Sequence, residues 1–230
     1  MAGWRQLADN VALLQFPLRA CGIDFRRNVT LMRLRDGRVI IHSTAPFHSE
    51  DVKAILRFGQ PAWLVEATSM HDTFARAGRG AFPEIPYLVP ADFVKGSGAA
   101  PDPQSGIPKE WADEIEALKI EGLRLVDECA LLHRASRTLV LADLLTHFPP
   151  ETHGRSRFFV QRIMRLPDLV GISSFFRLMI RDKGRFAESM RVLLGWDFER
   201  IIVAHSDPVL LDAKSVFTRA LHECSLTLNA

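Results

Sequence analysis

Two apolar rhythms alternate along this chain. VALLQFP at 11–17 and NVTLMRL at 28–34 are short, mostly apolar runs bounded by polar residues, and both predict strands. The turn Arg35-Asp36-Gly37-Arg38 leads into Val39-Ile40-Ile41, so the chain opens as an antiparallel meander. A helical period then runs over 46–58, where Ser49-Glu50-Asp51 supplies a cap signal ahead of VKAILRF and Gly59 closes the helix. AWLV at 62–65 and IPYLV at 85–89 predict further strands, with a short helix at 73–78 between them. The Gly- and Pro-rich stretch 90–108 has no sustained apolar period and predicts a surface loop. A short helix is expected over 110–118. A β-hairpin follows, in which Ala130-Leu131-Leu132 and Thr138-Leu139-Val140-Leu141 flank Arg134-Ala135-Ser136 and the second strand ends at Asp143. Residues 157–194 are mostly helical by pattern, divided by Pro167 and Gly171-Ile172-Ser173-Ser174. A strand at 200–204 and a helix at 213–226 complete the order, which suits an α/β fold of two sheets face to face with helices outside. The expectation is a four-layer αββα sandwich forming a single domain 1–230, with a helical insertion at 155–195.

Composition narrows the function classes. The chain has 230 residues, 47% of them apolar and 24% charged, the proportions of an ordinary globular protein with ample core. Its 29 basic and 27 acidic residues leave a net charge of +2, so there is no global pull toward nucleic acid or an anionic membrane. Cys21, Cys129 and Cys224 are odd in number and widely spaced, which argues against a disulfide framework or a cysteine zinc site. With no apolar leader core and no run approaching the roughly 20 residues of a membrane span, a cytoplasmic location is expected.

Chemistry gathers at the ends of predicted strands. Residues 38–41 run into His42-Ser43-Thr44, and 62–65 are followed within a few residues by His71-Asp72. The hairpin strand ends at Asp143, and 200–204 runs into His205-Ser206-Asp207-Pro208. Loops leaving strand ends are where layered folds place their sites.

These tips resemble those of the metallo-β-lactamase fold superfamily, and more closely an uncharacterised branch of it. That branch has a strand ending in His-Ser, an altered histidine loop, a hairpin SRTL-x-x-x-DL and a final strand ending in AH-x-DP. The counterparts here are Ile41-His42-Ser43, the loop 66–74, Ser136-Arg137-Thr138-Leu139 with Asp143-Leu144, and Ala204-His205-Ser206-Asp207-Pro208. In active members two metals lie between the sheets, held by a His-x-His-x-Asp-His loop, a later single His, a bridging Asp and a final His. The resemblance matches Asp143 to the bridging aspartate and His205 to the final histidine. It places the loop at Thr68-Ser69-Met70-His71-Asp72-Thr73, where Thr, Met and Thr stand at three ligand positions, Asp72 keeps its place and His71 falls at a variable one. No histidine lies within 121–126, where the single one is expected. Thr and Met are poor zinc ligands, so the resemblance implies the scaffold with a degenerate metal site.

Three readings of the surviving residues stand side by side. His42, His71, Asp143 and His205 can hold one zinc or iron ion, with His71 or Asp72 as the catalytic base. The same residues can instead form a hydrogen-bonded network that caps strand ends without catalysis. In the third, a His-Asp pair acts on water without metal, with Ser43, Ser69 or Ser206 as nucleophile or positioning group; His147, four residues beyond Asp143, and Asp207, two beyond His205, accompany the set in every reading. The enzyme readings suit hydrolysis of a small ester, lactone or related acyl substrate; the rival is a non-catalytic binding or assembly protein. In 157–194, Phe158, Phe159, Met164, Phe175, Phe176 and Met179 lie among arginines and can form an apolar lid, a homodimer face or ordinary core. No role is assigned to His48, His133, His153 or His222, and Cys129 is expected in the core.

Overall fold

The computed structural model describes residues 3–20, 22–90, 93 and 107–224. The first sheet contains β1 (Gly3–Ala8), β2 (Val11–Phe16), β5 (Arg27–Arg33), β6 (Arg38–His42), β7 (Gln60–Val65) and β8 (Tyr87–Leu88), side by side in that order. A small hairpin, β3 (Arg19–Ala20) with β4 (Ile23–Asp24), interrupts the step from β2 to β5. The pair β6 and β7 is parallel, joined by the crossover helix α1 (Ser49–Phe58). α2 (Ala75–Ala81) lies between β7 and β8.

The second sheet has the order β14-β11-β10-β9, with β9 (Ile115–Lys119), β10 (Cys129–His133), β11 (Thr138–Val140) and β14 (Arg200–Ile202). β11 and β14 are parallel, and the long connection between them holds β12 (Thr146–His147), α3 (Gly154–Phe158) with a π-helical turn Phe159–Ile163, β13 (Val170–Gly171), α4 (Ser174–Met179) and α5 (Lys183–Gly195). The last helix is α6 (Ala213–Glu223).

Three apolar clusters make the layers. Val11, Leu13, Met32 and Ile40 of the first sheet meet Leu131, Val140 and Ile202 of the second. Alternate residues of the same strands, Ala12, Leu14, Leu31 and Ile41, face outward onto Ile55 and Phe58 of α1. On the far side Leu132, Leu139 and Ile201 pack against Phe186, Met190 and Phe217 of α5 and α6. The four-layer αββα expectation therefore holds, and burial on both faces explains why the strands read as continuous apolar runs.

Several local expectations need correction. Instead of a helix at 110–118, a 3-10 turn Lys109–Trp111 leads into β9, which pairs antiparallel with β10 from Ile115 opposite His133 to Lys119 opposite Cys129. Ile115 and Ala117 point into the inter-sheet core while Leu118 packs on the helical side. That period of two, fixed by the ladder, overrides the helix-favouring Glu-Ala-Leu composition. β1 and the β3–β4 hairpin were not anticipated, because β1 is a largely exposed edge strand with a polar pattern. The segment 157–194 is less helical than its pattern: α3 begins earlier, at Gly154, and Val170–Gly171 pairs with Thr146–His147 as strand. Other ends shift by a few residues: α1 starts at Ser49 with His48 as cap, and α2 spans Ala75–Ala81. β8 is Tyr87–Leu88, and β14 ends at Ile202. Most of the loop 90–108, Cys21 and the end of the 213–226 helix lie outside the described residues; Cys129 and Cys224 are free thiols.

Candidate active site at the converging strand ends

Four strand continuations meet at one end of the sandwich: His42 on β6, Glu66 after β7, Asp143 after β11 and His205 after β14. Ala67, Ala142 and Ala204, each one residue before Thr68, Asp143 and His205, pack together as a buried cluster of small side chains. β5 of the first sheet pins the last of these tips. The Asn28 amide donates to the carbonyls of Val203 at 2.7 Å and Ser206 at 2.9 Å, and its backbone N–H donates to Ala204 at 2.8 Å.

His71, Asp143 and His205 form a close triad. His71 Nε2 lies 3.2 Å from Asp143 Oδ2 and 3.3 Å from Oδ1, His205 Nε2 lies 3.4 Å from Oδ1, and the two Nε2 atoms are 3.1 Å apart. His205 Nδ1 donates to the Arg26 carbonyl at 3.1 Å, which leaves its Nε2 lone pair facing the other two residues. Zinc bonds of about 2.0–2.1 Å in a tetrahedral shell imply donor atoms about 3.3 Å apart. The separations of 3.1–3.4 Å and the N, N, O donor set fit three corners of such a shell.

Glu128 sets the position of Asp143. Its buried carboxylate accepts backbone N–H groups from Ala142, Asp143 and Leu144 at 3.1, 3.0 and 2.9 Å. The neighbouring backbone ties this clamp to the His71 loop: Cys129 N–H donates to Ala67 at 2.8 Å, and Asp127 N–H donates to the Ser69 hydroxyl at 3.1 Å. A second buried anchor is the Arg27–Glu66 ion pair at 3.1 Å, whose side chains are 3% and 0% exposed. Glu66 also accepts the Thr44 N–H at 2.6 Å, the Thr44 hydroxyl and the Ser43 hydroxyl at 3.1 Å, so the β6 and β7 tips are locked together.

Charge is unevenly shared. Burial and the Arg27 guanidinium hold His71 down at about 4, so its imidazole is neutral at physiological pH. Burial opposes ionisation of Asp143, but the adjoining imidazoles, His71 foremost, outweigh it and keep the carboxyl well below the usual range. Burial, reinforced by Asp143, pushes Glu128 up to about 8. His42 is buried, its Nε2 has no hydrogen-bond partner among the described residues, and burial plus Arg27 depress it to about 3.

No family model matches the sequence, and no curated relative matches it. Solved structures do. A metallo-β-lactamase from Erythrobacter litoralis superposes with a TM-score of 0.66 at 16% identity, covering 96% of this chain and 95% of its own. FIM-1 from Pseudomonas aeruginosa, a metallo-β-lactamase solved in its mono-zinc form, gives 0.66 at 10% identity over 100% and 97%, and TMB-1 gives 0.65 at 12% over 97% and 98%. The chain has the metallo-β-lactamase fold. At these identities the likeness carries the architecture and leaves the chemistry to the residues present.

Within the metallo-β-lactamase fold, the expected site residues divide. His71, Asp143 and His205 come together, and they are the group of metal-ligand type found among the described residues. His42 stands apart from that group, and so does Asp72, whose carbonyl accepts the Ala75 N–H at the start of α2. The three candidate serines are engaged structurally: Ser43 donates to Glu66, Ser206 donates to the Phe25 carbonyl at 2.9 Å, and Ser69 accepts from Asp127. His147 Nδ1 donates to the Asp207 carbonyl at 3.1 Å and Asp207 pairs with Arg26 at 3.4 Å, so both clamp the last loop. Met70 and Val126, from the two segments where the resemblance looks for histidine ligands, face a cavity beside Asp143. Sequence reasoning missed Arg27, Glu66 and Glu128. The signal was there for the acids: Val65-Glu66-Ala67 and Glu128-Cys129-Ala130 each set a carboxylate against an apolar run.

Proposed function

We propose that this chain is a hydrolase of ester, lactone or related acyl compounds, working at His71, Asp143 and His205 around a single zinc or iron ion. The observation that carries the reading is the mutual spacing of the three donor atoms, 3.1–3.4 Å, at the ends of rigid strands. The neighbours of the same fold are metallo-β-lactamases, and one of them, FIM-1, is known in a mono-zinc form, which supports a one-metal version of the scaffold. When bound, the ion would polarise an acyl carbonyl and lower the pKa of a bound water toward neutrality.

The protein's own residues orient and balance that site. The Arg26 carbonyl fixes the tautomer and ring plane of His205, and Glu128 fixes the backbone that carries Asp143. Asp143 supplies negative charge, and burial, reinforced by Arg27, keeps His71 neutral and available as a donor of an electron pair. The Arg27–Glu66 pair keeps the β6 and β7 tips in place without facing solvent.

The test is a screen of simple esters and lactones with protein reconstituted in zinc or ferrous iron. Hydrolysis should fall by about a hundredfold or more in Asp143→Ala and His205→Ala, as expected for loss of a ligand worth several kcal/mol. Equal turnover in Asp143→Ala would remove the proposal.

One observation favours a second reading. A separation of 3.1 Å between the two Nε2 atoms is also a hydrogen-bond length, so His71 Nε2–H donating to His205 closes the network with no ion. In a non-catalytic binding protein His71→Ala would lower the melting temperature, with no hydrolysis in any metal.

A further inference from the structure

We infer that the acyl substrate carries an uncharged apolar chain that lies in the cavity opening beside Asp143 and His205; this rests on the hydrolase reading above. The cavity has a volume of about 340 Å³ and shares Asp143 and His205 with the triad. Phe25, Met70, Phe159, Met164, Phe176 and Met179 line its walls. Phe25 lies edge-on to the His205 ring at 5.9 Å between centroids, so the apolar surface begins at the site itself.

The insertion explains how this wall arises. The π-helical turn Phe159–Ile163, the following Met164 and α4 bring three phenylalanines and two methionines to one side of the cavity, with Phe159 stacked on Phe175 at 6.3 Å. Methionine is the residue type that adapts to flexible apolar partners. Ser173 also reaches the cavity, but its hydroxyl caps α4 by accepting the Phe176 N–H at 3.2 Å.

Charge decides the class of chain. Among the described residues no lysine or arginine lines the cavity, and its ionisable residues are Asp143 and His205. A charged tail lying along the Phe and Met walls would lose its hydration with no ion pair to replace it, whereas an alkyl or aryl chain exchanges water for Phe and Met surface. The substrate class is therefore a neutral ester or lactone with an extended apolar acyl group.

The experiment has two arms. In the first, turnover of 4-nitrophenyl acetate, butanoate, hexanoate and octanoate is compared; kcat/KM should rise at least about threefold per added pair of methylenes, against a ceiling of about fifteenfold for full burial. In the second, calorimetry follows binding of methyl nonyl ketone, methyl propyl ketone and 10-oxoundecanoate, the long ketone with a carboxylate at the far end of its chain; none of them is hydrolysed. The long ketone should bind at least about tenfold more tightly than the short ketone and than 10-oxoundecanoate. Met70→Glu, at a position 57% exposed and so safe for folding, should weaken the long ketone about tenfold or more; Met179→Glu is the second variant. Equal turnover along the ester series together with ketone binding indifferent to length would overturn the inference while leaving the hydrolase reading intact. Length-dependent ketone binding with no ester hydrolysed would support the apolar seat and overturn only the catalytic reading. 10-Oxoundecanoate binding as tightly as the long ketone would overturn the requirement for an uncharged chain.

Discussion

Glu128 is the side chain on which the position of Asp143 depends, since three consecutive N–H groups of the Asp143 loop point at one buried carboxylate. Glu128→Ala leaves those donors unpaired and should cost about 3 kcal/mol in urea unfolding, with Glu128→Gln milder because it keeps an acceptor oxygen. In either variant metal affinity should drop by about 10–100-fold, as for loss of a group that orients a ligand. His42 gives a pH signature. Its folded value of about 3 lies below the ordinary 6.5, so as pH falls the unfolded chain takes up a proton that the folded chain refuses. Its contribution to stability is full above pH 6.5 and is lost progressively down to about pH 3, amounting to about 2 kcal/mol by pH 5. Urea midpoints should fall over that range in the wild type and fall less steeply in His42→Gln; parallel slopes would contradict this role. At this scale His71, Asp143 and His205 were legible because each is a ligand-type residue at or soon after a strand end. Glu66 and Glu128 carried a weaker signal, an acid set against an apolar run, and Arg27 carried none, because a buried arginine in one sequence looks like any surface charge until its partner is placed beside it.

The strands β2, β5 and β6 and the hairpin β10–β11 were readable from apolar runs and turn residues, and they are the elements buried on both faces. β9 was not, since this half-exposed edge strand turns only Ile115 and Ala117 toward the inter-sheet core and Leu118 toward the helices. The close approach of Gly122 to α5 was also invisible. Gly122 sits at φ +78°, and an added Cβ would meet the Asp182 carbonyl oxygen at 2.2 Å and the Phe186 nitrogen at 2.8 Å. Gly122 also accepts the N–H groups of Arg181 and Asp182 at 2.8 and 3.0 Å, so this contact holds the start of α5. Gly122→Ala should therefore destabilise by more than about 1–2 kcal/mol and lower the melting temperature by several degrees. A thermal melt unchanged from wild type would show that α5 does not depend on this approach.

Over the whole molecule, the layered fold was legible because the order of strands and helices admits few packings that bury every apolar face. The site was legible as a set of strand tips. Which tips touch was settled by geometry: β5 pins the His205 loop, Glu128 draws Asp143 toward the His71 loop, and His42 is left beside the Arg27–Glu66 pair. Among the described residues no helix is long and apolar enough to cross a membrane. The claim that most needs testing is the single metal ion at His71, Asp143 and His205. Elemental analysis of untagged protein, equilibrated with zinc or ferrous iron and then freed of unbound metal, measures it directly. The expected result is about one equivalent in the wild type and less than about a tenth in Asp143→Ala. No uptake by the wild type, or an equal equivalent retained by Asp143→Ala, would contradict it.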